Sequence, residues 1–537
     1  IFLYPSGLFL AWVLPKRKVT IWKWTVDLNP GPWNHKEQML ATLFYNVSSS
    51  YPYASFNIPV VKMDMFYGVK WADWGYQILL ILSTQFMGFG FAGIMRKFAV
   101  YPTRAIWPNV LPTLALNKAL LQSEPREIIN GWKITRFNFF VIAFIGSFLY
   151  FWLPEYLFQA LSTFNWMTWI TPQNAALAVV TGSVNGLGFN PIASFDWNII
   201  SYNSALVIPF YSQLNQYIGS IIGFFCIIGV WYSNYKWTGY LPINSNGLFT
   251  NKGKSYKVSQ ILDSNNLMDQ SKYEAYGPPF YTAANLVSYG SSFALYPFTV
   301  LYVGLAEWKH IKFAFKGLWG AIRNFKESTY EGYHDAYSKS MRNYKEVPEW
   351  CFMIVLVISV ILAILCCKLY PTETPVWGIF FALAINFVFL IPLTLVYSIT
   401  GYSFGLNILV ELIVGYALPG NGMALMFIKA LGYNIDGQSQ SYVADQKMAH
   451  YVRIPPRALF RTQILSTLIS CFISLAVMNF CIENIKDYCD PSQPQKFSCP
   501  SARTFYSASV IWGVIGPQKV FSHLYPILKW CFLLGFL

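Results

Sequence analysis

CFMIVLVISVILAILCCKLY, residues 351–370, decides the architecture. Its one charged residue is Lys368, close to the end. At about 1.5 Å per residue, a helix over this run crosses a hydrocarbon core roughly 30 Å thick. Comparable apolar runs recur outward in both directions, at about 1–14, 36–52, 75–95, 136–160, 205–232, 280–305, 375–399, 458–480 and 523–537. They lack the strict in–out alternation of a barrel strand. The predicted fold is therefore all-α: a polytopic membrane protein forming one transmembrane domain over 1–537. The chain starts at Ile1 inside one apolar run and stops inside another, YPILKWCFLLGFL. It is expected to be a fragment lacking helices on both sides.

Composition agrees. Of 537 residues, 55% are hydrophobic and 12% charged, about half the charged share of an ordinary soluble domain. Mean hydropathy is +0.38. The net charge of +14 does not point to nucleic acid, because the basic residues sit in short loops between spans, where positive charge orients helices.

Three polar segments interrupt the spans. Residues 234–277 are rich in Asn, Ser and Gly; residues 307–350 mix Lys and Arg with acids and aromatics at helical spacing; residues 481–505 carry cysteines. The second has the densest Lys and Arg near membrane ends and is expected in the cytoplasm. The first and third are then expected outside. Of nine cysteines, Cys489 and Cys499 flank CDPSQPQKFSC and are candidates for a disulfide in an oxidising compartment, with Cys481 as a competing partner. Cysteines in apolar runs are most simply small hydrophobes. No CxxC or Cys/His ligand spacing is present, so no metal is expected.

Stretches 97–122, 165–192, 403–433 and 504–520 are apolar but broken by Pro, Gly or polar residues such as Gln173, Asn174, Asn185 and Asn407. Irregular backbone at membrane depth is tolerated only against protein or a water-filled cavity, and broken helices commonly build a transporter's central site. The alternative is re-entrant or interfacial packing.

Two proline-marked helix starts stand out. In NPGPWNHKEQML, residues 29–40, Pro30, Gly31 and Pro32 block a helix, and an apolar helical pattern follows. Asn34 and Glu37 have the spacing of a capping box. Alternatively, Asn29, Asn34, His35 and Lys36 flank a helix start able to receive a carboxylate, with Glu37 or His35 carrying protons. In MAHYVRIPPRALFRTQ, residues 448–463, Pro455 and Pro456 precede Arg457, and Arg453, Arg457 and Arg461 recur every four residues. Arginines facing lipid headgroups are the simple explanation there.

NPGPWNHKEQ resembles the NPGPFNxKEH signature of the oligopeptide transporter family, and RIPPR resembles its KIPPR signature. LSTQFMGFGFAGIMR (82–96), IWPNVL (106–111), GLGFNPIASFDWN (186–198), YHDAYSKSMRNYKEVPEW (333–350) and GYALPGNGMAL (415–425) are similar to the same family, so the resemblance covers almost the whole chain. The polar loops and aromatic content look most like its fungal peptide-transporter branch rather than the metal-chelate branch. Trp33 replaces the family's Phe, Gln38 its His, and Arg453 its Lys. Gln38 carries no proton, so a coupling role for that position is vacant or moved to His35 or Glu37.

The resemblance implies a proton-coupled importer of small oligopeptides, from tripeptides to pentapeptides and including glutathione, in the plasma membrane. The alternative is a metal-chelate or glutathione-conjugate transporter. Protons are the coupling ion and no other cofactor is expected. Partners are small peptides and the bilayer. A peptide offers a carboxylate and an ammonium, so its site needs donors and an acid. Lys36 or a broken-helix N-terminus serves the first need. Glu37 or Glu411, the most conspicuous acid in an apolar run, serves the second. Gln85, Gln173 and Asn407 are further candidates, although amides in spans often only join helices. An embedded enzyme would need a nucleophile or metal motif; HExxH is missing, and an enzyme is not expected.

Overall fold

A computed structural model describes residues 2–21, 24–29, 31–121, 131–184, 186–197, 206–263, 267–323, 333–490, 493–495 and 497–537. Pro30, Asn185 and residues 324–332 of the basic loop lie outside the described residues.

The chain runs through α1 (Leu3–Val13), a two-stranded hairpin pairing Lys18 with Asp27, then α2 (His35–Ser49) and α3 (Ala54–Lys62). Next come α4 (Trp74–Ala99), α5 (Leu111–Leu121) and α6 (Arg136–Trp152), followed by short irregular helices and α7 (Phe210–Tyr232). After the polar loop lie α8 (Ala283–Ala306) and α9 (Trp308–Arg323), then α10 (Glu349–Leu369) and α11 (Trp377–Thr400). A half-helix α12 (Asn407–Ala417), the long α13 (Gly422–Val452) and α14 (Pro456–Asn484) complete the core order. Among the described residues, seven helices are long and apolar enough to cross a membrane: α4, α6 with its π-helical extension to Leu157, α7, α8, α10, α11 and α14. The run read first, 351–370, is α10.

Two stretches differ from the sequence reading. Stretch 403–433 does break, at Leu418–Asn421, where Gly420 takes a positive φ of 88°. Beyond the break, however, the chain does not stay irregular. Asn421 caps a new helix by accepting from Ala424 N at 2.9 Å, and α13 continues to Val452, through residues assigned to no span. Its Lys429, Asp436, Asp445 and Lys447 depress its hydropathy, but all four are buried in protein, as are most of its side chains. The second stretch is 523–537, where Pro526 confines the α-helix to Leu528–Leu534.

α13 is the central post: α4, α11, α12, α2 and α3 all pack on it. Small residues in α4 permit this. A Cβ on Gly88 would stand 2.6 Å from Cβ of Gln438 on α13, and one on Gly90 would stand 2.6 Å from Cβ of Leu356 on α10. Helices in a bilayer gain association energy by such close approach.

The two ends of the bundle are distinct. At one end, Arg96 meets Glu349 at 2.9 Å, Lys36 donates to Tyr344 Oη at 2.8 Å, and Arg457 donates to the Glu346 carbonyl at 3.1 Å. The helix starts at 35 and 456 thus gather on segment 333–350. At the far end of α14, Cys489 and Cys499 form a disulfide with Cα atoms 4.6 Å apart, and Cys481 is free.

Candidate functional site

Glu411, on α12, forms an ion pair with Lys429 on α13. Both side chains are almost fully buried, at 3% and 5% exposure. Lys429 Nζ also sits 4.5 Å from the ring centre of Phe505. Tyr53, Tyr289 and Tyr296 lie within electrostatic reach of Glu411. Tyr53 packs on Tyr433 with ring centres 4.6 Å apart. The pair therefore sits beside Phe505, which packs in turn on Tyr53 with ring centres 5.6 Å apart, behind the break between α12 and α13. Desolvating two charges costs several kcal/mol per ion, and ionisable residues buried at membrane depth are by default functional.

The N-terminus of α12 is also built with polar groups. Asp436 accepts from the backbone N–H of Leu406 and from Gln440 Nε2 at 2.7 Å. Tyr296 Oη donates to the Gly405 carbonyl at 3.0 Å.

On the other side of α8 lies a cavity of about 1240 Å³ between α7, α8 and α11. α8 presents Ser288, Ser291, Ser292 and Thr299 to it, and α7 presents Asn215 and Gln216. Leu295, Phe298 and Val303 of α8 line the same wall, so the inward face is apolar with polar groups set into it at helical spacing. Ser291 and Ser292 spend their protons on backbone carbonyls at 2.8 and 2.9 Å, leaving oxygen lone pairs for a ligand. The adjacent face of α8 carries Tyr289, Phe293 and Tyr296, towards the buried ion pair. One helix is thus a wall of both. At one end of the cavity Arg104 Nη1 meets Glu307 Oε1 at 2.9 Å.

The opening stretch is organised differently. Asn34 Oδ1 accepts from the N–H groups of Lys36 and Glu37 at 2.9 and 3.0 Å, and Glu37 Oε2 accepts from Asn34 N at 3.1 Å. This is the complete capping box, and it occupies the carboxylate that was a candidate proton carrier. Neither Glu37 nor Lys36 lines the large cavity. Asn29 is tied to the end of α1 through the carbonyls of Ala11 and Leu14, both at 2.8 Å. Gly31 has φ of 146°, a backbone that favours glycine. Gln38, at the position of the family His, is buried between Trp33 Nε1 and Asn117 Oδ1 at 2.8 and 3.2 Å. His35 is half-buried, with burial and neighbouring Lys36 holding its pKa below the usual value.

The other candidates are scattered. Gln85 is buried in α4 and its Nε2 has no hydrogen-bond partner among the described residues. Asn407 begins α12, and its Oδ1 likewise has none. Gln173 is exposed outside the core. Pro32 is exposed just before the cap. Pro455 and Pro456 start α14, and Arg453 stacks its guanidinium 5.8 Å from the Tyr337 ring centre. Sequence reasoning missed Lys429, although it is a lone cation in the apolar run MALMFIKALGY (423–433). It also missed Arg104, Glu307 and the polar groups of the two helix faces, whose helical periodicity was a usable signal.

A bundle of long apolar helices with a broken helix and a buried ion pair defines an all-α polytopic membrane protein. The whole chain, residues 1–537, matches the family described as "OPT oligopeptide transporter protein". It belongs to that family. It is 50% identical to "Oligopeptide transporter 2" of Saccharomyces cerevisiae over 99% of this chain and 62% of that protein. It is 36% identical to "Oligopeptide transporter 7" of Arabidopsis thaliana over 96% of this chain and 66% of that protein. It is 35% identical to "Glutathione transporter 1" of Schizosaccharomyces pombe over 99% and 62%. The chain therefore spans just under two thirds of the length of these relatives.

Proposed function

We propose that this protein is a proton-coupled importer of short oligopeptides, with the peptide held in the cavity between α7, α8 and α11. The observation that carries this is the cavity itself, about 1240 Å³, whose largely apolar walls carry hydroxyls and amides. A drug-sized ligand needs roughly 300–1,000 Å³, so a tripeptide to pentapeptide and some water fit. Hydroxyl and amide groups suit a peptide backbone without selecting its side chains. Glu411 is the proposed proton carrier. It is held by Lys429 behind the wall that α8 shares with the peptide, so occupancy on one face of α8 shifts the aromatic residues on the other. Segment 307–350 faces the cytoplasm and the disulfide loop faces outside, in the plasma membrane. Glutathione, itself a tripeptide, is a reasonable substrate given the name of the fission-yeast relative.

Uptake of labelled tripeptides to pentapeptides by cells expressing the intact transporter, with and without an inward pH gradient, tests this. Glu411→Gln alone would strand Lys429, so the paired change Glu411→Gln with Lys429→Met is the informative variant. It is expected to bind peptide but not accumulate it uphill. Unchanged pH-driven accumulation would overturn the coupling role, and absence of peptide uptake by the unaltered protein would overturn the substrate class.

A further inference from the structure

Two cavities meet at Arg104 and Glu307. The large one lies between α7, α8 and α11; a second, of about 330 Å³, lies beside α9 and is lined by Lys97, Phe98, His310 and Tyr333. Both include Arg104, Glu307, Leu395 and Ile399 in their walls. The ion pair is therefore part of the partition between them, at the end of α8 that leads into segment 307–350.

The two partners are unequal. The Glu307 side chain is 7% exposed and Arg104 is 59% exposed. One guanidinium nitrogen, Nη1, makes both contacts, at 2.9 Å to Oε1 and 3.2 Å to Oε2. His310 Nε2 lies 4.0 Å from Glu307 Oε2. A guanidinium has five N–H donors in a planar fork that matches a carboxylate bidentately. Glu307 touches one nitrogen of that fork, on a side chain that is otherwise largely exposed.

We propose that Arg104 is the subsite for the C-terminal carboxylate of the transported peptide, and that Glu307 is its built-in competitor. This rests on the large cavity being the peptide's site. A carboxylate arriving there takes over the fork. It loosens Glu307 from Arg104 and with it the partition towards the second cavity. Recognition of the free terminus and opening of the path are then one event. An amidated peptide has the same length and side chains but offers no anion to displace Glu307.

The test uses membranes holding the intact transporter and competition binding of tetra-alanine against its C-terminal amide. The unaltered protein is expected to prefer the free acid by about tenfold or more, the scale of one charge-assisted hydrogen bond. In Arg104→Gln the ratio should fall towards one. In Glu307→Gln, which keeps the exposed cation and removes its competitor, the ratio should rise, and this variant decides the matter if Arg104→Gln does not reach the membrane. A ratio unchanged in either delivered variant overturns the assignment. A tetrapeptide amide carrying one glutamate side chain should stay weak; recovery of free-acid affinity would overturn assignment to the terminus. If neither form binds the unaltered protein, the substrate reading falls instead, so the two failures are distinguishable.

Discussion

Two lysine–glutamate neighbours in this protein have opposite fates. Lys36 and Glu37 lie at the start of α2, where Glu37 closes a capping box and Lys36 reaches Tyr344 at 2.8 Å. Glu411 and Lys429 come from different helices and meet with almost no solvent contact. The first pair belongs to the most recognisable motif of the chain, and the second to runs that look merely hydrophobic. Chemical type is the same in both. What differs is the dielectric around them, and hence the cost of disturbing them.

The largest expected effect breaks the buried pair on one side. Lys429→Met leaves Glu411 charged and unpaired and should destabilise by about 3–5 kcal/mol, read as a lower melting temperature of the detergent-extracted protein and poor surface delivery. Replacing both partners, Glu411→Leu with Lys429→Met, should recover most of that stability, because a buried ion pair is often no better than apolar residues of like volume. A double variant as unstable as the single one would mean that the pair is architectural and the comparison is wrong.

Next in size is the staple at the far end of α14. Cys489→Ser opens a ten-residue separation, and chain entropy alone gives a cost of about 3 kcal/mol or less. Thermal unfolding should show the drop without any change in substrate preference, since the loop is at the opposite end from Arg104.

At the surface motif the effects shrink. Asn34→Ala removes the one side-chain oxygen that accepts from both Lys36 and Glu37 N–H at the head of α2 and should cost about 1 kcal/mol, measurable as a small thermal shift. Glu37→Gln retains an oxygen for the Asn34 N–H, so stability and the pH dependence of peptide uptake are both expected near those of the unaltered protein. Loss of pH-driven uptake in Glu37→Gln, with binding intact, would move the coupling role to the motif and reverse the comparison.

Much of this contrast was legible in residue order. The capping box was readable because its two members are three positions apart and need no tertiary partner. The spans were readable because length and hydropathy are local quantities; α10 and α14 begin and end within a few residues of the runs that announced them. The proline starts at 29–38 and 453–457 carried the family resemblance, and the family match over the full chain agrees with it.

Other features depended on which helix lies beside which. α13 was hidden because its Lys429, Asp436, Asp445 and Lys447 look expensive in lipid, and only packing by α2, α4, α11 and α12 makes their burial tolerable. Glu411 stood out as an isolated acid, but its partner is on the next helix, across a break whose angle the sequence does not encode locally. Arg104 and Glu307 are far apart in the chain, and only folding brings them to 2.9 Å. Hydropathy, caps and proline breaks are set by neighbours in sequence, so the chain alone determined its class, its spans and its helix starts. Charge pairing and cavity shape are set by neighbours in space, through desolvation and close packing, and these only the tertiary structure decided.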